Sequence, residues 1–190
     1  MSTIILLVVL AGVALWVVGA YNGLVSLKNQ VVNGWKQIDV QLKRRHDLIP
    51  NLVNTVKGAM NFERSTLDAV ISARNRAVSA TGVQQTAQAE GELTQALGRL
   101  FALTEAYPDL KATGNVAQLQ EELTSTENKI GFARQLYNDV ATQYNTKQMQ
   151  FPTNLVSGLA KASPAELWEI EDAAERAVPA VDLSLNKPAT

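Results

Sequence analysis

The chain begins with a run of apolar residues and then turns periodic. Ile4 to Ala20 holds no charge and no strongly polar side chain, and eleven of these positions are Leu, Ile or Val. A helix over the stretch rises about 26 Å, the short end of the membrane-spanning range. At about −0.3 to −0.6 kcal/mol for each such residue, insertion is favoured by roughly 3–7 kcal/mol. Ile4, Leu10, Leu15 and Ala20 then lie in the span, and the rings of Trp16 and Tyr21 lie near one interface. Val18-Gly19-Ala20 resembles a signal-peptide cleavage site. However, Met1-Ser2-Thr3 lacks Lys and Arg, the run is longer than a usual signal core, and helical periodicity continues through Leu24, Leu27 and Val31. The reading is a retained anchor that opens a longer helix.

Beyond it, Val31, Trp35, Ile38, Leu42, Arg45, Ile49, Leu52 and Val56 alternate spacings of four and three, a heptad stripe with one charged intrusion at Arg45. Pro50 falls inside the stripe, removes a backbone donor and crowds the His46 carbonyl, which predicts a kink or break there. The stripe resumes at Leu67 and Val70, and Thr81-Gly82 is a stop signal. A further helix is expected over about 83–107, with Leu93, Leu97, Leu100 and Phe101 as its apolar face and Pro108-Asp109 as its end. The strongest pattern opens at Gly114-Asn115. It runs through Val116, Leu119, Leu123, Thr126, Ile130, Ala133, Tyr137, Val140 and Tyr144 towards Phe151-Pro152.

Ser163-Pro164-Ala165-Glu166 combines an N-cap residue, Pro at the first helical position and an acidic third position, so a short acidic helix is expected from Ser163. No segment alternates as a strand does. The expected fold is all-α: an N-terminal transmembrane helix (1–21) continuing into an elongated antiparallel up-and-down bundle of about four helices (22–160). A short acidic amphipathic helix and a loose tail (161–190) complete it.

Composition narrows the chemistry. There is no cysteine, which excludes disulfides, thiolate metal sites and a cysteine nucleophile, and the one histidine is His46. No phosphate loop and no metal-spaced motif occurs, so no cofactor, metal or catalytic residue is expected. Charge is uneven. Residues 22–78 carry nine Lys/Arg against four Asp/Glu, and residues 79–190 carry eight against fourteen. A basic helix packed on acidic ones explains this without nucleic acid. Arg45, at a core position, is expected to pair with a buried carboxylate and set register. Lys28 and Lys36 follow the span, which points the bundle into the cytoplasm.

Several ordered segments resemble the bacterial LemA family. They are Tyr21-Asn22-Gly23-Leu24-Val25, residues 37–45 with the Lys43-Arg44-Arg45 triplet, Asp47-Leu48-Ile49-Pro50-Asn51-Leu52-Val53, and Tyr107-Pro108-Asp109-Leu110-Lys111-Ala112. Thr126-Glu127-Asn128-Lys129-Ile130, Tyr137-Asn138-Asp139-Val140, Tyr144-Asn145-Thr146 and Phe151-Pro152 extend the match, which spans roughly Ile4 to Leu155. The resemblance implies a single-pass protein of the bacterial inner membrane with a helical bundle and no established catalysis. A magnetosome-building relative implies a role in shaping membrane. Phe62-Glu63 stands where the family often has His-Glu, and the acidic segment from Ser163 replaces the family's glycine-aromatic ending.

The functional reading is a non-enzymatic scaffold that sits in a lipid bilayer and self-associates as a homo-oligomer. Trp35, Ile38, Leu42, Arg45, Ile49, Leu123, Ile130, Tyr137 and Tyr144 are the expected bundle or subunit interface, and Pro50 the kink. The alternative is a monomeric membrane-tethered adaptor, holding a soluble partner or a membrane protease through the acidic helix from Ser163.

Overall fold

A computed structural model describes residues 1–57, 64–107 and 114–169. Among these residues the chain is helical with no strand. The elements are α1 (Ser2–Lys57), α2 (Arg64–Ser79), α3 (Val83–Thr104), α4 (Gly114–Met149) and the short α5 (Asn154–Ser157). Phe62-Glu63 and the Pro108-Asp109 helix end lie outside the described residues, as does everything after Glu169.

The anchor and the bundle share one helix. α1 is 56 residues long, about 84 Å at 1.5 Å per residue. It is of a length and composition able to cross a membrane, and its most apolar window is buried against nothing in the chain. Ile4, Leu10, Leu15, Trp16 and Tyr21 all stand exposed, and the first buried side chain is Leu24.

From Leu24 onward α1 packs along α4, and α2 packs along α3. The α1–α4 pair is antiparallel: Gly34 faces Tyr137, and Arg45 faces Glu127. A Cβ on Gly34 would come within 3.4 Å of the Tyr137 Cα, so its lack of a side chain permits the close approach. Gly82, at φ 79°, supplies the left-handed residue that joins α2 to α3, where the sequence signalled a stop.

The heptad positions close two hydrophobic clusters. The distal one joins Ile49, Leu52 and Val56 of α1 to Leu67 and Val70 of α2, Leu93, Leu97 and Leu100 of α3, and Val116 and Leu123 of α4. The proximal one, nearer the anchor, joins Leu24, Val31, Ile38 and Leu42 to Ile130, Tyr137, Ala141 and Tyr144. Each fully buried Leu or Ile contributes about 1.5–3 kcal/mol, so the two stripes dominate the stability of the bundle.

One local expectation is corrected, at Ser163. At Pro50, of the expected kink or break, the break does not occur, and α1 continues as one helix. The His46 carbonyl, deprived of its helical partner by the proline, accepts instead from Arg74 Nε at 2.9 Å, so the gap in the ladder is filled from α2. Ser163 to Glu169 is not helical. These residues run as an extended strap against α4, with Trp168 completing the proximal cluster. Local capping signals lost to tertiary bonds that bind the strap's own backbone groups.

Candidate functional site

Two constellations hold polar groups in the interior. The first sits where the two clusters meet. Arg45, only 4% exposed, reaches Glu90 of α3 at 3.1 Å and Glu127 of α4 at 2.8 Å, and donates to Thr94 Oγ1 at 2.8 Å. His46 Nε2 lies 2.6 Å from the other Glu90 oxygen. An ionised carboxylate only accepts, so that nitrogen carries the proton. Arg134 approaches Glu127 at 3.9 Å. Arg45 thus occupies a core position of the stripe because two later helices bring carboxylates to it, and the buried charge ties α1, α3 and α4 in one register.

The neighbouring charges behave differently. Lys43 pairs with Asp47 one turn on, at 2.7 Å in solvent, and that hydrogen bond holds the Asp47 carboxyl below its usual range. Arg76 joins α2 to Glu92 of α3 at 2.8 Å. The basic first half and acidic second half therefore meet inside the fold. Among the described residues no group of three His, Asp or Glu side chains converges to hold a metal.

The second constellation is the strap and the groove beneath it. Asn138 Nδ2 donates to the Trp168 carbonyl at 2.9 Å while its Oδ1 accepts from the Trp168 N–H at 2.8 Å. Asn145 repeats this with Ala165, at 2.8 Å each way. The match is metric. Seven helical residues rise about 10.5 Å, and three extended residues span about 10 Å, so asparagines seven apart meet backbone groups three apart. Tyr137 Oη adds a bond to the Glu166 carbonyl at 2.7 Å, and burial raises the tyrosine above its usual range.

Trp168 is the anchor of the strap. Its ring lies 5.9 Å from that of Trp35 and 5.6 Å from the guanidinium of Arg134, and Trp35 meets Tyr137 edge-on at 5.6 Å. The indole Nε1 and the Tyr144 hydroxyl are buried with no hydrogen-bond partner among the described residues. The strap is thus held by its main chain, and Trp168 adds the aromatic contacts.

Of the expected interface residues, Ile38, Leu42, Arg45, Ile49, Leu123, Ile130, Tyr137 and Tyr144 are buried within this one chain, and Trp35 is half-buried beside the strap. What the outer surface offers instead is a second apolar seam of Val40, Phe132 and Leu136, with Phe132 73% exposed. Two shallow clefts of about 470 and 640 Å³ share Phe132 and Lys129 along it. Glu90, Asn138, Asn145, Trp168 and Phe132 were not singled out from sequence. The available signal was the doubled Tyr-Asn at 137–138 and 144–145, because asparagine is a poor helix-interior residue without a bonding role.

These features define a class: an all-α protein in which a helix of membrane-spanning length runs unbroken into an elongated bundle. The chain belongs to the LemA family, whose model matches residues 34–183. It is 31% identical to Protein LemA of Metamycoplasma hominis, over 74% of this chain and 64% of that protein. It is 23% identical to the magnetosome proteins MamQ 1 and MamQ 2 of Paramagnetospirillum magneticum, over 82% of this chain and 66% of each. The chain thus spans somewhat under two thirds of the length of these curated relatives. None of their names is that of an enzyme.

Proposed function

We propose that this protein is a non-enzymatic, membrane-anchored helical scaffold that self-associates and organises or remodels the bilayer. The exposed Val40–Phe132–Leu136 seam carries the reading. Large side chains bared together beside clefts on a folded surface mark an interaction site. The continuous α1 supports the anchoring, because a contact made in the bundle is transmitted to the bilayer by the same helix. Lys28 and Lys36, on the bundle side of the apolar run, favour a cytoplasmic bundle at the inner membrane. The magnetosome names of two relatives support a role at membranes.

The geometry of anchored copies restricts how they meet. Proteins inserted in one bilayer the same way up share the direction of α1, so like seams face one another side by side and not head to tail. The test is the mass of the full-length chain in mild detergent, by light scattering. The wild type is expected to run as a uniform oligomer, with Phe132→Ser and Leu136→Ser reducing its mass. A monomeric wild type in both detergent and lipid nanodiscs would sink the reading.

A further inference from the structure

The end of the bundle nearest the anchor is apolar on its outer face, where a water-facing surface is polar. Among the described residues beyond Tyr21, five large apolar side chains are more than two thirds exposed. Four of them, Met149, Phe151, Leu155 and Leu159, share the turn between the end of α4 and the strap. The turn is firmly seated. Thr153 and Val156 are buried, α5 packs on both α1 and α4, and Ala160 and Ala162 lie against the proximal cluster. Its inner face therefore closes the bundle, while Phe151, Leu155 and Leu159 stand outward at four-residue spacing.

The helix pairing sets the height of this face. With Gly34 opposite Tyr137, Met149 lies twelve residues, about 18 Å, further toward the anchor. Tyr21 lies thirteen residues from Gly34, about 20 Å, in the same direction. The end of α4 thus comes down to the level of Tyr21, the ring at the edge of the apolar run. The strap leaves the turn in the opposite direction, since Ala165 bonds Asn145 and Trp168 bonds Asn138. Among the described residues the turn is therefore the part of the bundle closest to the bilayer. The headgroup layer adds about 5–8 Å on each side of the hydrocarbon, and a surface at this height lies within it.

Charge agrees with lipid as the occupant. Residues 1–38 hold no Asp or Glu, and neither do residues 140–165, although the second half of the chain is acidic overall. The charged side chains in these two stretches are Lys28, Lys36, Lys147 and Lys161, all exposed. Asp39 lies about 27 Å above Tyr21 and Asp139 about 15 Å above Met149, both beyond the Debye length of about 8 Å. We propose that the turn is a second membrane contact, a foot beside the anchor. Phe151, Leu155 and Leu159 seat in the headgroup–acyl boundary of the leaflet from which α1 emerges, and Lys147 and Lys161 meet anionic lipid phosphates. The foot rests on the anchoring of α1 proposed above and adds a fixed stance to it. A single helix leaves the bundle free to tilt, and a second contact holds the Phe132 seam of every copy at one height.

The absence of cysteine makes the test direct. The full-length chain with Leu155→Cys, labelled with an environment-sensitive fluorophore, is placed one copy per nanodisc of phosphatidylcholine and phosphatidylglycerol. Nitroxide on the upper acyl chain is expected to quench this label, as it quenches one at Leu10→Cys in the anchor, and to spare one at Phe132→Cys. Adding Phe151→Asp and Leu159→Asp should abolish the quenching at position 155 while helix content by circular dichroism holds. Lys147→Glu with Lys161→Glu should weaken it, more in discs with phosphatidylglycerol than in pure phosphatidylcholine. A label at position 155 that stays open to aqueous iodide, while the anchor label is quenched, overturns the foot and leaves the anchor standing. Shielding from iodide without lipid quenching, seen only with two copies per disc, overturns the foot in favour of contact between copies. An unquenched anchor label overturns both.

Discussion

The distal and proximal halves of the bundle are built on the same two long helices but are closed by different means. At the distal end, α2 and α3 cover α1 and α4, and the core of Ile49, Leu52, Leu93, Leu97, Leu100 and Leu123 is aliphatic throughout. Near the anchor those two helices give out beyond Val83 and Ala87 of α3, and α1 and α4 form an antiparallel pair with an open side. The strap covers it, using Trp168 and backbone bonds to asparagines. A helix contributes a whole apolar face, satisfies its own backbone and is hard to displace. An extended strap has no internal backbone bonds, so everything it donates or accepts must be provided by the surface beneath. The distal closure is therefore fixed, and the proximal closure is the one that can open.

The sharpest way to break the comparison is at the joint between the halves. Glu90→Ala leaves Arg45 and His46 facing each other with their shared carboxylate removed. Breaking a buried pair from one side costs about 3–5 kcal/mol. Both halves should loosen together, read as a single lowered thermal transition by circular dichroism. A loss below about 1 kcal/mol would mean that water serves the cluster and that the register argument fails.

Trp168→Ala should cost about 3 kcal/mol, the low end for emptying a large aromatic site. Its effect should be lopsided. Amide exchange should speed up along residues 24–42 and 130–145, while the distal residues 49–56 and 93–100 keep their protection. Equal loosening of both ends would erase the distinction between a fixed and an openable half. Asn138→Ala and Asn145→Ala should each cost about 1–2 kcal/mol, since each removes a two-way bond to half-buried backbone. Because both act through one strap, neither should add fully to Trp168→Ala.

What the sequence revealed divides along the same line. The 3-4 alternations from Val31 to Val56 and from Val116 to Tyr144 placed both long helices, since packing of like helices repeats every seven residues. Even Arg45 could be read as a buried pair from its position alone, though not its partners, because nothing local connects residue 45 to residues 90 and 127. The strap was misread for a physical reason. Ser163-Pro164-Ala165-Glu166 is a sound helix start taken alone, but its backbone groups are bound by asparagines some twenty to thirty residues upstream. Periodicity reports helix against helix; a helix holding an extended chain leaves only two asparagines at heptad spacing. Within the described residues, Ala165 to Trp168 bind the groove of their own chain.

Pro50 permits a finer test within the distal half. Arg74→Met should cost about 1 kcal/mol, because it uncovers the His46 carbonyl that the proline has deprived of its donor. In a Pro50→Ala background the helix restores its own bond, and the same arginine substitution should then cost close to nothing. Unchanged cost in the two backgrounds would show that Arg74 acts through something other than the ladder gap.

The smallest effect isolates the strap by pH. Burial raises Tyr137 above the ordinary tyrosine value of 10.0, so the folded state holds the phenol proton more tightly than the unfolded chain. The stability this group contributes is complete below pH 10 and is lost as pH rises from there through the folded value. A phenolate cannot donate to the Glu166 carbonyl, and it brings a charge under Trp35 and Trp168, so the strap should be the part that lifts. Indole fluorescence of Trp168, in a chain with Trp16→Phe and Trp35→Phe, should shift toward its exposed value above pH 10 while helix content holds. Tyr137→Phe should flatten that transition at a cost of about 1 kcal/mol at neutral pH. If the fluorescence shift persisted in Tyr137→Phe, the alkaline opening would belong to another group and the hydroxyl would not be part of the latch.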